Sequence, residues 1–518
     1  MKSVKFNDVS LRDGHQSLLA TRMSTKQTLY VLEVLKEAPL NYLEIWGGAT
    51  LDTAMRFLNE DPWERLEKAY QMLDGKMPIR ALCRGQNLFG YSPYPDEVVR
   101  SFNIEAVRTG VGVMRIFDAL NDANNLKTAV SALKETGGLF DAALSYTTGK
   151  VFTVDYFVNY ARTLESMGAD MISIKDMAGL LTPERTYELV TRLQKEVRVP
   201  LCLHTHTTPG YAHVCALIAL MLDIDQIDTA FMSMSGGSSH PSIEIMSQFA
   251  RKLGKDVFWD YDLYHEIDRR LRETRLEMAK YDILSLPHEF PRELPHHIDK
   301  KMDDVITYTA KKKYEKALKV MHEIEAYFNF SPPDDLVRDA QIPGGMYTNM
   351  VSQLEPFKAV DRINEVMKEI TRVREESGYP PLVTPTSQIV GVQAVMNVVK
   401  GRYAMITAPF KAMVEGRYGK TPVAIKPEFR QMITGSPEEK LYEREPQDFT
   451  IPMLQDIGTE LCHTEREKML YYLFPQTAEP FLKARRLEEI RRQIDAQIAE
   501  HYAALTEFSE KIYNGGWF

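Results

Sequence analysis

Eight times before residue 255, a short apolar run gives way to a polar or glycine-bearing loop and then to an amphipathic stretch. No other feature limits the fold as strongly, because eight strand-loop-helix units are the count of a closed parallel (β/α)8 barrel. The candidate strands are Val4–Leu11, Tyr42–Trp46, Ile79–Cys83, Val113–Phe117, Ala142–Tyr146, Met171–Lys175, Leu201–His204 and Ile227–Ser233. Helical patterns such as Thr25–Leu35, Trp63–Leu73, Asp96–Thr109, Asp155–Met167, Pro183–Glu196 and Pro241–Leu253 fall between them. Several open on cap or first-turn residues: Ser24, Pro95-Asp96 and Thr182-Pro183. An open doubly wound sheet would want a glycine-rich phosphate loop after an early strand, and the sequence has none. The expected fold is α/β, a TIM barrel followed by a mostly α-helical C-terminal domain.

Reactive side chains gather just past the strands. Arg12-Asp13-Gly14-His15-Gln16 follows the first, Trp46-Gly47-Gly48-Ala49-Thr50 the second, and Arg84-Gly85-Gln86-Asn87 the third. Asp118 and Asn121 follow the fourth, Tyr146-Thr147 the fifth, Lys175-Asp176 the sixth, His204 and His206 the seventh, and Ser233-Met234-Ser235-Gly236-Gly237 the eighth. Barrel active sites are built at the C-terminal strand ends, so these groups are expected to converge on one mouth. His204 and His206 share a face of an alternating strand and form a ready chelate for a metal ion. A pair of hydrogen-bonded strand histidines is the plainer alternative.

A net charge of -9 leaves no basic face for nucleic acid, so small molecules and other proteins are the expected partners. The four cysteines (Cys83, Cys202, Cys215, Cys462) lack metal-ligand spacing and are too few for a disulfide framework. A reduced, cytoplasmic setting is expected. The N-terminus enters a strand-like run with no signal-peptide core. The longest apolar run, Val214 to Leu222, is too short to span a bilayer. Membrane association would come only through a partner.

Past Phe258, long charged amphipathic stretches replace the strand signals. The domain pattern expected is a barrel over 1–280, a helical domain completing the active site over 281–420, a Pro- and charge-rich linker or arm over 421–480, and a long partner-docking helix over 481–514. Two stretches, Gln341–Asn349 and Val383–Gln388, are dense in turn formers and small hydroxyls, and read as plain turns first and as site loops second. In Leu482–Tyr513 the residues Leu487, Ile490, Ile494, Ile498, Leu505, Phe508 and Ile512 recur mostly at three- and four-residue steps, with His501 in a seam position. That helix could pack on its own domain or pair with another chain.

Several motifs carry a resemblance: Leu11-Arg12-Asp13-Gly14-His15-Gln16, Trp46-Gly47-Gly48-Ala49-Thr50, Arg84-Gly85-Gln86-Asn87, Ile174-Lys175-Asp176, His204-Thr205-His206, Pro343–Asn349 and Thr384-Pro385-Thr386-Ser387-Gln388. Together they resemble the carboxyltransferase family of biotin-dependent enzymes, which includes pyruvate carboxylase, the oxaloacetate decarboxylase alpha chain and the carboxyltransferase subunit of transcarboxylase.

The resemblance implies that Asp13, Lys175, His204 and His206 bind a divalent metal (zinc, cobalt or manganese), with Lys175 carbamylated. The plainer alternative for Lys175 is an ion pair with Asp176. It implies further that Gln16, Arg84 and Gly48 hold a 2-oxo acid, that Arg12 stabilises developing enolate charge, and that Thr384 passes a proton between pyruvate and the ureido nitrogen of biotin. Carboxybiotin would decompose in the site, and the carbon dioxide released would meet the enolate of pyruvate to give oxaloacetate, or the reverse. Gln388 stands where pyruvate carboxylases have Lys, and Met346 where they have Gln. Both departures lean toward the transcarboxylase and decarboxylase branch, with the second chain of a two-chain pyruvate carboxylase as the neighbouring alternative. The sequence has no biotin-attachment motif, so a separate biotin carrier protein is the expected partner, within a homodimer or higher oligomer. The Asp13 and His-x-His pattern also resembles acyl-CoA aldol lyases and 2-isopropylmalate synthases. Those enzymes place an Asn ligand some way after the second His, and none follows His206 closely.

Overall fold

The computed structural model describes residues 4–514 apart from 283, 341, 343 and 444–448. Gln341 and Pro343 of the turn-rich motif therefore lie outside the described residues, and the helix that follows runs Gly344–Leu354.

The eight strands are β1 (Lys5–Asp8), β2 (Leu43–Gly47), β3 (Ile79–Cys83), β4 (Val111–Phe117), β5 (Leu139–Ser145), β6 (Met171–Asp176), β7 (Leu201–Thr205) and β8 (Gln226–Thr229). Each pairs in parallel with the next, and β1 closes the ring on β8 with Lys5 opposite Gln226 and Asp8 opposite Thr229. The barrel expected from the alternation is thus present.

Two strands end early for a local reason. The Asp8 carboxylate accepts from the Ser10 amide at 3.2 Å and its hydroxyl at 2.6 Å, and Ser10–Gly14 winds into a wide π-type turn. Ser10 Oγ in turn accepts the Phe231 amide, so β8 stops at Thr229. Short polar side chains here outcompete the ladder for backbone groups. Caps start the flanking helices. Ser24 and Gln27 form a capping box, Asp61 and Thr182 each cap a helix that begins with proline, and Ser242 caps Ile243–Lys252.

Barrel interiors are usually layered with branched aliphatics; this one is charged. Arg80 from β3 donates to Glu44 of β2 at 2.8 Å and pairs with Asp228 of β8 at 2.8 Å. Arg115 from β4 donates to Asp141 of β5 at 2.6 Å and also holds Asp228. Arg12 caps the lattice through Glu44 at 2.6 Å. All six side chains are fully buried. Three arginines thus meet three carboxylates, which satisfies the requirement that buried charge be paired.

The apolar run Val214–Leu222 falls in the helix Ala212–Met221 and its C-cap, and every residue from Ala212 to Leu220 is buried. Helices His296–Ala310 and Tyr314–Tyr327 cover its outer face, and His213 Nδ1 bonds Glu325 at 2.7 Å. A second layer explains a helix that is hydrophobic all round.

Residues 342–433 build a separate apolar core around Met350, Val366, Val390 and Phe410. Its helices sit over the barrel mouth. Arg374 donates to Thr147 at 2.9 Å, Asn125 to the Tyr418 carbonyl at 2.8 Å, and the Lys420 amide to Asp122 at 2.7 Å.

The linker expected over 421–480 is instead folded onto the body wherever it is described. Helix Pro427–Thr434 joins the second core, and helix Glu465–Leu473 returns to the barrel core with Leu461, Cys462 and Leu470 buried. Tyr94 donates to the Leu473 carbonyl at 2.7 Å and Arg466 to Glu105 at 2.7 Å. Its apolar residues fall in short runs such as Met469–Phe474, separated by prolines and charges, so no sustained periodicity marks them. The terminal helix runs Pro475–Asn514, starting before Leu482; Leu482 and Arg486 are buried, and every residue from Arg491 to Tyr513 is exposed. Among the described residues no helix is long and apolar enough to cross a membrane.

Candidate active site and metal centre

The strand ends bring Asp13, His204, His206 and His240 together, with one donor atom from each within 4.8 Å of all the others. Asp13 Oδ2 lies 3.4 Å from His204 Nε2, 3.7 Å from His206 Nε2 and 3.5 Å from His240 Nε2. All four side chains are buried.

The outer ring nitrogens are committed. Nδ1 of His204 faces Asp228 at 2.7 Å, Nδ1 of His206 the Ser238 carbonyl at 2.7 Å, and Nδ1 of His240 the Thr205 carbonyl at 3.0 Å. Such acceptors fix the proton on Nδ1 and leave Nε2 as a bare lone pair. All three Nε2 atoms are buried with no hydrogen-bond partner. A buried polar atom without a partner costs free energy, and three that converge beside one carboxylate fit a cation. This mixed nitrogen and oxygen donor set suits zinc, cobalt or manganese.

The electrostatics agree. Burial opposes ionisation of Asp13, but Arg12, which donates to it at 2.6 Å, and the neighbouring histidines more than offset this and hold the carboxyl well below its usual range. Burial lowers His204 and, with the two neighbouring imidazoles, pushes His240 down to about 3, which favours the neutral rings a metal would need.

Lys175 stands on β6 in register with His204. It is buried, and its Nζ lies 5.0 Å from the Phe117 ring centroid. The ion pair with Asp176 is absent: that carboxylate points to the other face, where it accepts from the Leu180 and Leu181 amides and from Thr205. Burial first, then Arg12 and Arg115, push the Lys175 ammonium down to about 8 against the pull of Asp13.

Arg12, Asp13, Gln16, Arg84, Lys175 and His206 line one cavity of about 670 Å³, with Thr384 and Gln388 entering from the helical layer. Arg84 is buried, donates to the carbonyls of Phe89 at 2.6 Å and Gly90 at 3.2 Å, and has no carboxylate partner among the described residues. Gly48 does not line the cavity. Its positive φ and missing side chain make room for Gln16, since a Cβ there would fall 2.4 Å from Gln16 Oε1, which accepts the Ala49 amide.

Known proteins match the chain over most of its length. Profiles of a conserved carboxylase domain and of an HMGL-like domain match residues 337–514 and 117–267. The chain is 38% identical over 486 residues to a pyruvate carboxylase subunit of Methanocaldococcus jannaschii, covering 93% of this chain and 78% of that one. It is 35% identical to the methylmalonyl-CoA carboxyltransferase 5S subunit of Propionibacterium freudenreichii subsp. shermanii, over 93% of this chain and 88% of that one. This chain is a member of the biotin-dependent carboxyltransferase family. The carboxyltransferase also superposes on the carboxyl transferase domain of Rhizobium etli pyruvate carboxylase, solved with pyruvate and biocytin, at a TM-score of 0.75 and 27% identity, covering 93% of this chain and 78% of that one.

Of the residues expected at the carboxyltransferase site, Arg12, Asp13, Gln16, Arg84, Lys175, His204, His206 and Thr384 converge, and Gly48 acts through Gln16. His240 was not foreseen. A fourth donor does follow His206 in the chain, and it is an imidazole rather than the amide of the aldol lyases. Its only signal in the sequence is its place, three residues past the Gly236-Gly237 turn that follows the last strand. Asp228, which orients His204, was also missed, since a carboxylate within a strand reads as an ordinary surface charge.

Proposed function

We propose that this carboxyltransferase moves a carboxyl group between biotin on a separate carrier chain and the pyruvate/oxaloacetate pair, as a cytoplasmic subunit of a larger assembly. Three orphaned imidazole nitrogens facing Asp13, which with His206 lines a cavity that Thr384 also lines, carry this reading.

Asp13, His204, His206 and His240 would hold the metal. When bound, a divalent ion there lowers the cost of negative charge on the keto oxygen of a 2-oxo acid. A neutral Lys175 amine can add carbon dioxide: a C–N bond forms, one proton leaves, and the carbamate oxygens would offer the metal a further ligand. Arg84, with no carboxylate of its own, offers part of a planar fork to the substrate carboxylate. Gln16 orients it, and Arg12 faces the developing enolate charge. The Thr384 hydroxyl, which has no protein partner among the described residues, both donates and accepts, as transfer between a methyl group and a ureido nitrogen requires. The helical layer over the mouth limits water, which would consume the reactive species.

The test is oxaloacetate decarboxylation driven by free biotin. Thr384→Ala is expected to lose about 10²–10⁴-fold in rate while pyruvate still binds. Full activity in that variant would sink the reading. The names of the relatives support both a transcarboxylase-type chain and the carboxyltransferase chain of a multi-chain pyruvate carboxylase. Mass spectrometry of co-purified chains separates them: a biotinylated carrier is expected either way, and the remaining partner names the system.

A further inference from the structure

The terminal helix leaves the body at an abrupt line. Arg486 is buried against Glu467, whereas Arg491–Tyr513 projects with nothing of its own chain beside it. At 1.5 Å per residue this arm is about 35 Å long. Helices in water draw most of their stability from packing an apolar face, yet here that face is bare: Ile494, Ile498, Leu505, Phe508 and Ile512 are all about half exposed or more. Apolar stripes of this size mark interaction surfaces.

The spacing of the stripe identifies a coiled-coil seam. Residues 487, 491, 494, 498, 501, 505, 508 and 512 alternate steps of four and three without a break over nearly four heptads. Two seam positions depart from apolar, Arg491 and His501. In an antiparallel pair whose two-fold axis passes between residues 499 and 500, every seam residue finds a partner: Leu487 meets Ile512, Arg491 meets Phe508, Ile494 meets Leu505, and Ile498 meets His501. Arg491 then lies over an aromatic ring, a favourable cation–π contact.

Charge selects the same arrangement. Five basic residues and two acids leave 482–492 at +3, and one lysine against four acids leaves 493–513 at -3. Antiparallel pairing sets the basic half of one helix beside the acidic half of the other and opposes the two macrodipoles. Parallel pairing would stack like on like. Length agrees too, because the register that seats Ile512 beside Leu487 spans the whole free arm and ends where the body begins.

We propose that the terminal helix is a self-association arm, which pairs antiparallel with the same helix of a second copy of this chain. The occupant is another copy rather than a carrier chain, because stripe, charge and length are complementary to themselves.

The experiment uses the full chain. In sedimentation velocity at about 10 μM, Ile498→Glu combined with Leu505→Glu is expected to halve the assembled mass, with free-biotin-driven decarboxylation unchanged and any loss of helicity by circular dichroism no larger than the freed arm accounts for. An unchanged mass overturns the proposal, as does an unchanged mass with loss of carrier binding. Register is read by cross-linking, since the four native thiols are buried. A chain carrying both Ile494→Cys and Leu505→Cys should oxidise to a covalent dimer, and neither single variant should. Cross-linking of a single variant would mean parallel pairing, and no cross-link in any variant would mean no pairing; either result overturns the proposal. None of these residues touches the cavity, so failure here would leave the proposed reaction untouched.

Discussion

His240 turns its bare Nε2 toward Asp13 Oδ2 at 3.5 Å while its Nδ1 is tied to the Thr205 carbonyl. An imidazole held in that tautomer is built to bind a cation. His240→Ala is therefore expected to weaken metal binding by at least about 10–100-fold, the loss typical even of groups that only orient a ligand. Chelator competition with metal analysis by mass spectrometry reads this directly, and unchanged affinity would remove His240 from the ligand set.

Stripping the metal should abolish carboxyl transfer and lower the melting temperature together, because an ion that binds only the folded state stabilises it by about 2.7 kcal/mol at 100 times its dissociation constant. Adding back zinc, cobalt or manganese should restore both. Calorimetry alongside the decarboxylation assay checks the coupling.

The Lys175 ammonium, pushed down to about 8 by burial, gives a signed pH dependence. Its folded value lies below the unfolded one, so the stability it contributes is present above about pH 10.5 and is lost as pH falls through about 8. Only the neutral amine takes up carbon dioxide. Metal-stripped protein given labelled bicarbonate should capture more label at Lys175 at pH 8.5 than at pH 6.5, and Lys175→Met none. Trapping by alkylation followed by peptide mass spectrometry measures it.

Arg115→Met should cost about 3–5 kcal/mol in urea unfolding, since it removes the close counter-charge of Asp141 and leaves Asp228 with Arg80 alone in the barrel interior. Adding Asp141→Asn should recover part of that loss.

Burial raises all four thiols, Cys83 and Cys462 to about 12. A thiol reagent at pH 8 should find none in the native protein and four after denaturation.

The barrel and most of its site were legible because each sits on a periodic or motif-level signal. Strand alternation put His204 and His206 on one face, and caps such as Thr182-Pro183 fixed helix starts within a residue. What escaped lacks local pattern. His240 reaches Asp13 only through the fold of the loop after β8, and Glu44, Arg80, Asp141 and Asp228 look like ordinary strand charges until closure turns them inward. The returning segment around Leu461 and Leu470 carries apolar runs too short to show a period, and only the surface it covers makes it part of the barrel core.

The charged lattice inside the barrel also bears on heat. Keeping ions out of water becomes less costly as temperature rises, while the benefit per unit of buried hydrocarbon levels off. A cylinder cross-braced by Arg80 and Arg115 should therefore soften later on warming than the oily layers around it. Screening by salt should scarcely reach it, because no solvent touches these groups. The part of the molecule that aims His204 would then be the last to yield.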